Sequence, residues 1–297
     1  MKHLLRCAGL LLAALAPACS PPRPAIPSAA AQLDALTRDF DTWYRYTAAR
    51  VPLARDYRPR GVDGQPLPKK AFLQQLAAGQ VLALRNGPDG PVPVYQLFPY
   101  AGNHAPAVRA TSRQRADEAL RNLAWEGHPL PAFRWRDLRG RVYTPASTRG
   151  RVVVVKCWYT SCVACVDEFA AVNALADRYP QVLFVSLARN EAHVLRTFLK
   201  ERAVKFAVVP AGKAYLADTL GVFEYPTHFL LGPDGTIARV TNRASDLAVA
   251  LAQHVPLASR SRRPGPAAGR ALGRGEAPRK GPFAPFPVSS PFLNQRP

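Results

Sequence analysis

The stretch Arg151–Glu168, RVVVVKCWYTSCVACVDE, decides the fold. Its four consecutive valines, Val152 to Val155, suit a strand buried on both faces of a sheet, because β-branched side chains pack well on a pleated surface and no polar residue alternates with them. Thr160 and Ser161 then deliver the chain into Cys162-Val163-Ala164-Cys165. Beyond the cysteines, Phe169, Val172, Leu175, Ala176 and Tyr179 recur at helical spacing, and Pro180 closes that segment. A cysteine pair thus stands where a buried strand passes into a helix. There the unpaired backbone N–H groups and the positive end of the helix dipole stabilise a thiolate and lower its pKa from about 8.5 toward roughly 3.5–7.5. Cys162 is the expected nucleophile. Cys165, one helical turn on and further inside, is the expected resolving thiol.

Working outward, Val182 to Leu187 reads as a second buried strand, Glu191 to Arg202 as an amphipathic helix, Phe206 to Val209 as a short strand and Tyr215 to Leu220 as a short helix. Thr227 to Leu231 and Thr236 to Val240 flank Gly232-Pro233-Asp234-Gly235 as a hairpin, and Asp246 to His254 makes a closing helix. Upstream, Phe133 and Trp135, a turn at Leu138-Arg139-Gly140, and Val142 with Tyr143 predict another hairpin. The pattern predicts an α/β fold, an open mixed sheet with helices on both faces, over residues 128–255. Residues 32–127 read as a small α+β region with helices at Lys69 to Ala78 and Arg113 to Trp125 and strands at Val81 to Leu84 and Val92 to Phe98. No motif there carries chemistry.

The ends have a different character. Lys2, His3 and Arg6 give a basic start and Leu4 to Leu15 is largely apolar, the pattern of an export signal over residues 1–19 and too short for a membrane span. Ala16-Pro17-Ala18-Cys19 resembles a lipoprotein processing site, which makes Cys19 the expected lipid anchor. Residues 20–31, rich in proline and alanine, read as a flexible tether. Residues 256–297 are proline-rich and basic, with Glu276 the only acid, and read as a disordered tail. Of the five cysteines, Cys7 and Cys19 fall in the signal. The remaining three, Cys157, Cys162 and Cys165, make no structural disulfide framework, so an exported chain carrying one close pair points to redox chemistry. The net charge of +20 suggests a polyanion partner. The arginines are scattered and not interleaved with aromatics, however, so they read as solvated surface with no nucleic-acid partner.

Val152 to Glu168, Tyr225-Pro226-Thr227 and Gly232-Pro233-Asp234-Gly235, in this order, resemble the thioredoxin superfamily, and within it the TlpA/ResA-like exported disulfide reductases, relatives of the AhpC/TSA redoxins. The resemblance covers about Leu130 to Asn242. It implies a thioredoxin-like fold and disulfide exchange in the reducing direction, with protein disulfides as substrates, a membrane electron donor and a periplasmic or cell-envelope location. It implies no cofactor beyond the Cys162–Cys165 pair itself. Trp158 matches the family's strand-ending tryptophan and is an expected substrate contact, while Ser161 stands where a second tryptophan is usual. Pro226 matches the family's cis-proline, so Tyr225 would offer its backbone to an incoming peptide. Glu168 matches a buried glutamate and is expected, with a raised pKa, to take and return the proton of the resolving thiol. Lys156 departs from the family, which carries aspartate or asparagine there. It is expected either to pair with Glu168 beneath the active site, which would hold the glutamate ionised and lower the thiol pKa values, or to emerge at the sheet edge. Cys157 and His228 read as packed strand residues.

Three other chemistries are weighed against these residues. Zinc needs two further ligands, and His193, His228 and Cys157 stand at no ligand spacing. A peroxiredoxin-like peroxidase needs a proline and a threonine where this chain has Val155 and Tyr159. A non-enzymatic copper carrier of the SCO type needs three residues between its cysteines, where this chain has two.

Overall fold

The computed structural model describes residues 29–87, 90–100 and 106–256. The signal, Cys19 and all of the tail but Pro256 lie outside the described residues. Residues 29–31, whose composition reads as tether, belong to a helix: Ala29–Thr37 is α1, because alanine and leucine favour helix once Leu33 has a core to enter.

The first region continues with α2 (Phe40–Arg50), capped by Asp39, whose carboxylate accepts hydrogen bonds from the backbone N–H of Asp41 and Thr42. There follow β1 (Arg58–Arg60), α3 (Lys69–Ala78), β2 (Val81–Arg85), β3 (Val94–Pro99) and α4 (Pro106–Trp125). The strands form a sheet of order β1-β3-β2, β1 parallel and β2 antiparallel to β3. Gly79 ends α3 in the left-handed conformation at φ +78°, and a Cβ there would come within 2.5 Å of the Arg113 side chain, so glycine is required by both backbone and space. Phe72, Leu73, Leu97 and Ala116 fill the core between α3, α4 and the sheet. Two helices and a strand that the pattern did not predict, α1, α2 and β1, complete this region.

The second region opens with the short hairpin β4 (Trp135–Arg136) and β5 (Val142–Tyr143), and α5 (Pro145–Thr148). The strand β6 (Val153–Trp158), with all six residues buried, is followed by α6 (Val163–Asp167) and α7 (Phe169–Arg178). Then come β7 (Leu183–Ala188), α8 (Ala192–Phe198), β8 (Ala207–Pro210), a π-helical turn at Tyr215–Thr219, β9 (Thr227–Leu231), β10 (Ile237–Thr241) and α9 (Ala244–His254). The sheet order is β10-β9-β6-β7-β8, with β6, β7 and β8 parallel and β9 and β10 antiparallel. This is the expected open mixed α/β sheet.

Alternation along β6 sorts side chains between two cores. Val154 and Trp158 join Phe169, Val172, Leu247 and Leu251 under α7 and α9, while Val153, Val155 and Cys157 face Trp135, Tyr143, Leu216 and Phe229. The regions meet along β10: Gly127 N–H donates to the Ile237 carbonyl at 2.8 Å and Ile237 N–H to the His128 carbonyl at 2.9 Å, which covers the sheet's edge.

Candidate redox site

Cys162 caps the start of α6, its sulfur accepting the Cys165 backbone N–H at 3.2 Å. The two cysteines form a disulfide with their Cα atoms 5.2 Å apart. Cys162 is 6% exposed and Cys165 wholly enclosed, the asymmetry expected of an attacking and a resolving sulfur. The loop before them is held by Cys162 N–H donating to the Tyr159 carbonyl at 3.1 Å and by Thr160 N–H donating to Asn190 Oδ1 at 2.9 Å. The peptide bond between Tyr225 and Pro226 is cis, as expected. Asn242 fixes this corner, donating to the Pro226 carbonyl at 3.2 Å and to Thr227 Oγ1 at 2.9 Å. Tyr225 packs against the core cluster that contains both cysteines, and its ring meets Tyr159 edge-on with centroids 5.2 Å apart.

Lys156 and Glu168 pair at 3.1 Å, Nζ to Oε2. A third member, His228, lies directly opposite Lys156 in the β6–β9 register and places its Nε2 3.3 Å from both Lys156 Nζ and Glu168 Oε2. The other carboxylate oxygen, Oε1, accepts the Ala244 N–H at the start of α9 at 2.7 Å. Lys156 and His228 are fully buried, where an unpaired charge would be costly, and here each finds a partner. Even-numbered positions of β6 and β9 share the face that carries the disulfide, so the cluster lies beneath α6 and α7.

The electrostatics correct one expectation. Burial alone would raise the Glu168 pKa. That effect is outweighed by the His228 hydrogen bond and charge, by the Lys156 cation and by the Ala244 N–H, which together bring the carboxyl down to about 2. Burial, reinforced by Lys156, pushes the His228 pKa down, with the Glu168 carboxylate opposing. Glu168 is therefore a fixed anion and a poor base, not the raised-pKa proton acceptor that the resemblance implies. Burial likewise lowers the Lys156 pKa, with Glu168 opposing.

Trp158 is the second correction. It is wholly buried, its indole N–H donating to Ser186 Oγ at 3.1 Å and its ring edge-on to Phe169, so it packs behind the disulfide and is not a surface that a substrate reaches. Cys157 sits on the opposite face, where burial pushes its thiol up to about 12, in keeping with a core role. His228 and Asn242 are the site residues that sequence reasoning undervalued. The signal for His228 was its place two residues past Pro226, on the strand that pairs with the one carrying Lys156.

A cysteine pair at the head of a helix, a cis-proline corner and a buried ionic cluster on a five-stranded mixed sheet define a thioredoxin-type thiol–disulfide domain. The AhpC/TSA family matches residues 127–240. Thiol-disulfide oxidoreductase ResA of Bacillus thuringiensis subsp. konkukian is 29% identical over 114 residues, 37% of this chain. ResA of Bacillus subtilis (strain 168) is 27% identical over 122 residues, 39% of this chain. Either alignment covers 66% of the relative, so the chain spans slightly less than two thirds of these proteins' length. Among solved structures, Mycobacterium tuberculosis (MTB) dsbF aligns over 42% of this chain and 98% of its own, at 23% identity and a TM-score of 0.38. Over this region the chain is similar to the AhpC/TSA family and to ResA-type thiol-disulfide oxidoreductases, on a thioredoxin-like fold.

Proposed function

We propose that the chain is an extracytoplasmic protein-disulfide oxidoreductase that reduces disulfides of partner proteins, held to a membrane by a lipid on Cys19 and recharged by a membrane electron donor. The observation that carries the reading is the Cys162–Cys165 disulfide at the start of α6, within the core cluster against which Tyr225 of the cis-proline corner packs. In the dithiol form, the Cys162 thiolate attacks one sulfur of a substrate disulfide. A mixed disulfide forms, and the other substrate sulfur leaves as a thiolate that takes a proton from water. Cys165 then loses its proton and attacks Cys162, releasing the second substrate thiolate. Two electrons have passed to the substrate, and the chain is left in the disulfide form. The donor returns it to the dithiol. Lys156, Glu168 and His228 do not touch the reacting sulfurs in this scheme; they set the field beneath them.

The test is trapping. Cys165→Ser, expressed with its native leader, should accumulate mixed disulfides through Cys162 that vanish in the Cys162→Ser, Cys165→Ser double variant. The wild-type protein should catalyse insulin reduction by a small dithiol. Absence of any Cys162-linked adduct, with no insulin reduction, would reject the reading. A retained adduct with the protein in the cytosol and no lipid on Cys19 would reject only the location.

A further inference from the structure

At the end of β7, Arg189 holds its guanidinium 4.9 Å from the centroid of the Tyr159 ring and 5.7 Å from that of Tyr225, over the same two rings that meet edge-on beside the disulfide. Its backbone N–H is fixed on the Trp158 carbonyl at 3.0 Å. Among the described residues the guanidinium has no carboxylate partner and donates no hydrogen bond. Glu224, next to Tyr225, is paired with Arg121. Two exposed apolar side chains adjoin the site in sequence: Val163, next to Cys162, is 70% exposed and Phe223, two residues before Tyr225, is 69% exposed. A guanidinium stacked on aromatic faces keeps its edge N–H groups free and already oriented, so it binds a carboxylate with little further loss of side-chain freedom.

We infer that Arg189, with Tyr159 and Tyr225, is a specificity-determining site that reads a carboxylate beside the substrate cysteine, so that the preferred partners present their cysteine in an acidic, extended segment. The inference rests on the oxidoreductase reading and names its substrate class. The occupant follows from charge complementarity: one unpaired cation in an apolar rim favours an anionic side chain over a neutral one and repels a basic one.

The test uses the full chain in its dithiol form and two short peptides. Each peptide carries one cysteine disulfide-linked to 5-thio-2-nitrobenzoate, and they differ only in whether Glu or Gln flanks that cysteine. Cys162 attacks the peptide sulfur and releases the coloured thiolate; Cys165 then releases the peptide thiol and the chain becomes the disulfide. Each rate is divided by that of the same peptide with mercaptoethanol, which removes intrinsic reactivity. The Glu peptide should react roughly fivefold faster at low salt, with the ratio declining as salt rises. In Arg189→Gln the ratio should fall to about one, and in Arg189→Lys part of it should return.

A ratio near one in the wild type overturns the inference. So does a ratio that survives Arg189→Gln, since the overall charge of +20 would then explain it. If neither peptide reacts faster with the chain than with mercaptoethanol, the oxidoreductase reading itself fails and takes this inference with it.

Discussion

Lys156 is a lysine buried on the face of β6 that carries the disulfide, paired with Glu168. A lysine in the middle of a fully buried strand is tolerated because Glu168 and His228 both reach it within 3.3 Å. Replacing it by Met keeps the volume and removes the cation, which leaves a carboxylate one turn beyond Cys165 with less to balance it. Such a field disfavours thiolates, so the Cys162 pKa should rise in Lys156→Met, read as thiolate absorbance against pH. An unchanged value removes Lys156 from redox tuning while leaving its structural pairing intact. Glu168→Gln tests the other partner. The Glu168 pKa is lowered to about 2 in the folded chain from an ordinary 4.5, so its stabilisation is full above about pH 4.5 and is lost as pH falls through about 2. At pH 7 the variant should be less stable by roughly 3–5 kcal/mol, because a buried cation loses its counter-charge. By urea melts, that gap should narrow below pH 4. A gap independent of pH would show that the substitution acts through packing alone.

At the scale of the element, β6 was legible because its valine run admits one interpretation, and the helix after it because Phe169, Val172 and Leu175 repeat at helical spacing. The cis bond was reached through the resemblance, and the Lys156–Glu168 pair because both side chains were expected in the same buried region beneath the cysteines. What could not be read was the alternation of β6 at its far end. Trp158 falls on the same face as Val154, so it turns inward to Ser186 and away from the rim that its neighbours Tyr159 and Thr160 approach. Helices α1 and α2 escaped because their polar residues mask a narrow buried stripe, Leu33, Thr37, Trp43 and Thr47. α1 packs on α2, and α2 on α4 and β2, partners that polar helix residues alone do not announce. The inward placement of Trp158 has a measurable consequence. Trp158→Phe leaves the Ser186 hydroxyl buried without its donor and opens a void against Phe169, so the chain should lose roughly 2–4 kcal/mol in denaturant unfolding. A near-neutral change would mean that the ring is not a core element.

Across the whole molecule, the region of unknown chemistry, residues 32–127 with the start of α1, is fastened to the redox domain by charge as well as by the edge of β10. Arg55 donates to Asp246 at 2.7 Å, and Asp246, only 4% exposed, also accepts from Arg243 at 3.3 Å. Arg239 reaches Asp56 at 2.7 Å and Glu126 at 3.4 Å. From α4, Asn122 donates to Asn242 at 2.5 Å, the same side chain that fixes the Pro226 carbonyl, and Arg121 pairs with Glu224 in the approach to the cis bond. The first region therefore braces the cis-proline corner, and the two should unfold together. Melting followed by fluorescence of Trp43, in the first core, and by near-ultraviolet dichroism of the whole chain should give superimposable urea transitions. Asp246→Ala strands Arg55 beside a partly buried surface and should lower the unfolding free energy read by both probes equally, by roughly 2–4 kcal/mol. Two resolved transitions, or a shift confined to the second domain, would mean that the regions fold independently and that the bracing of the cis-proline corner does not couple them.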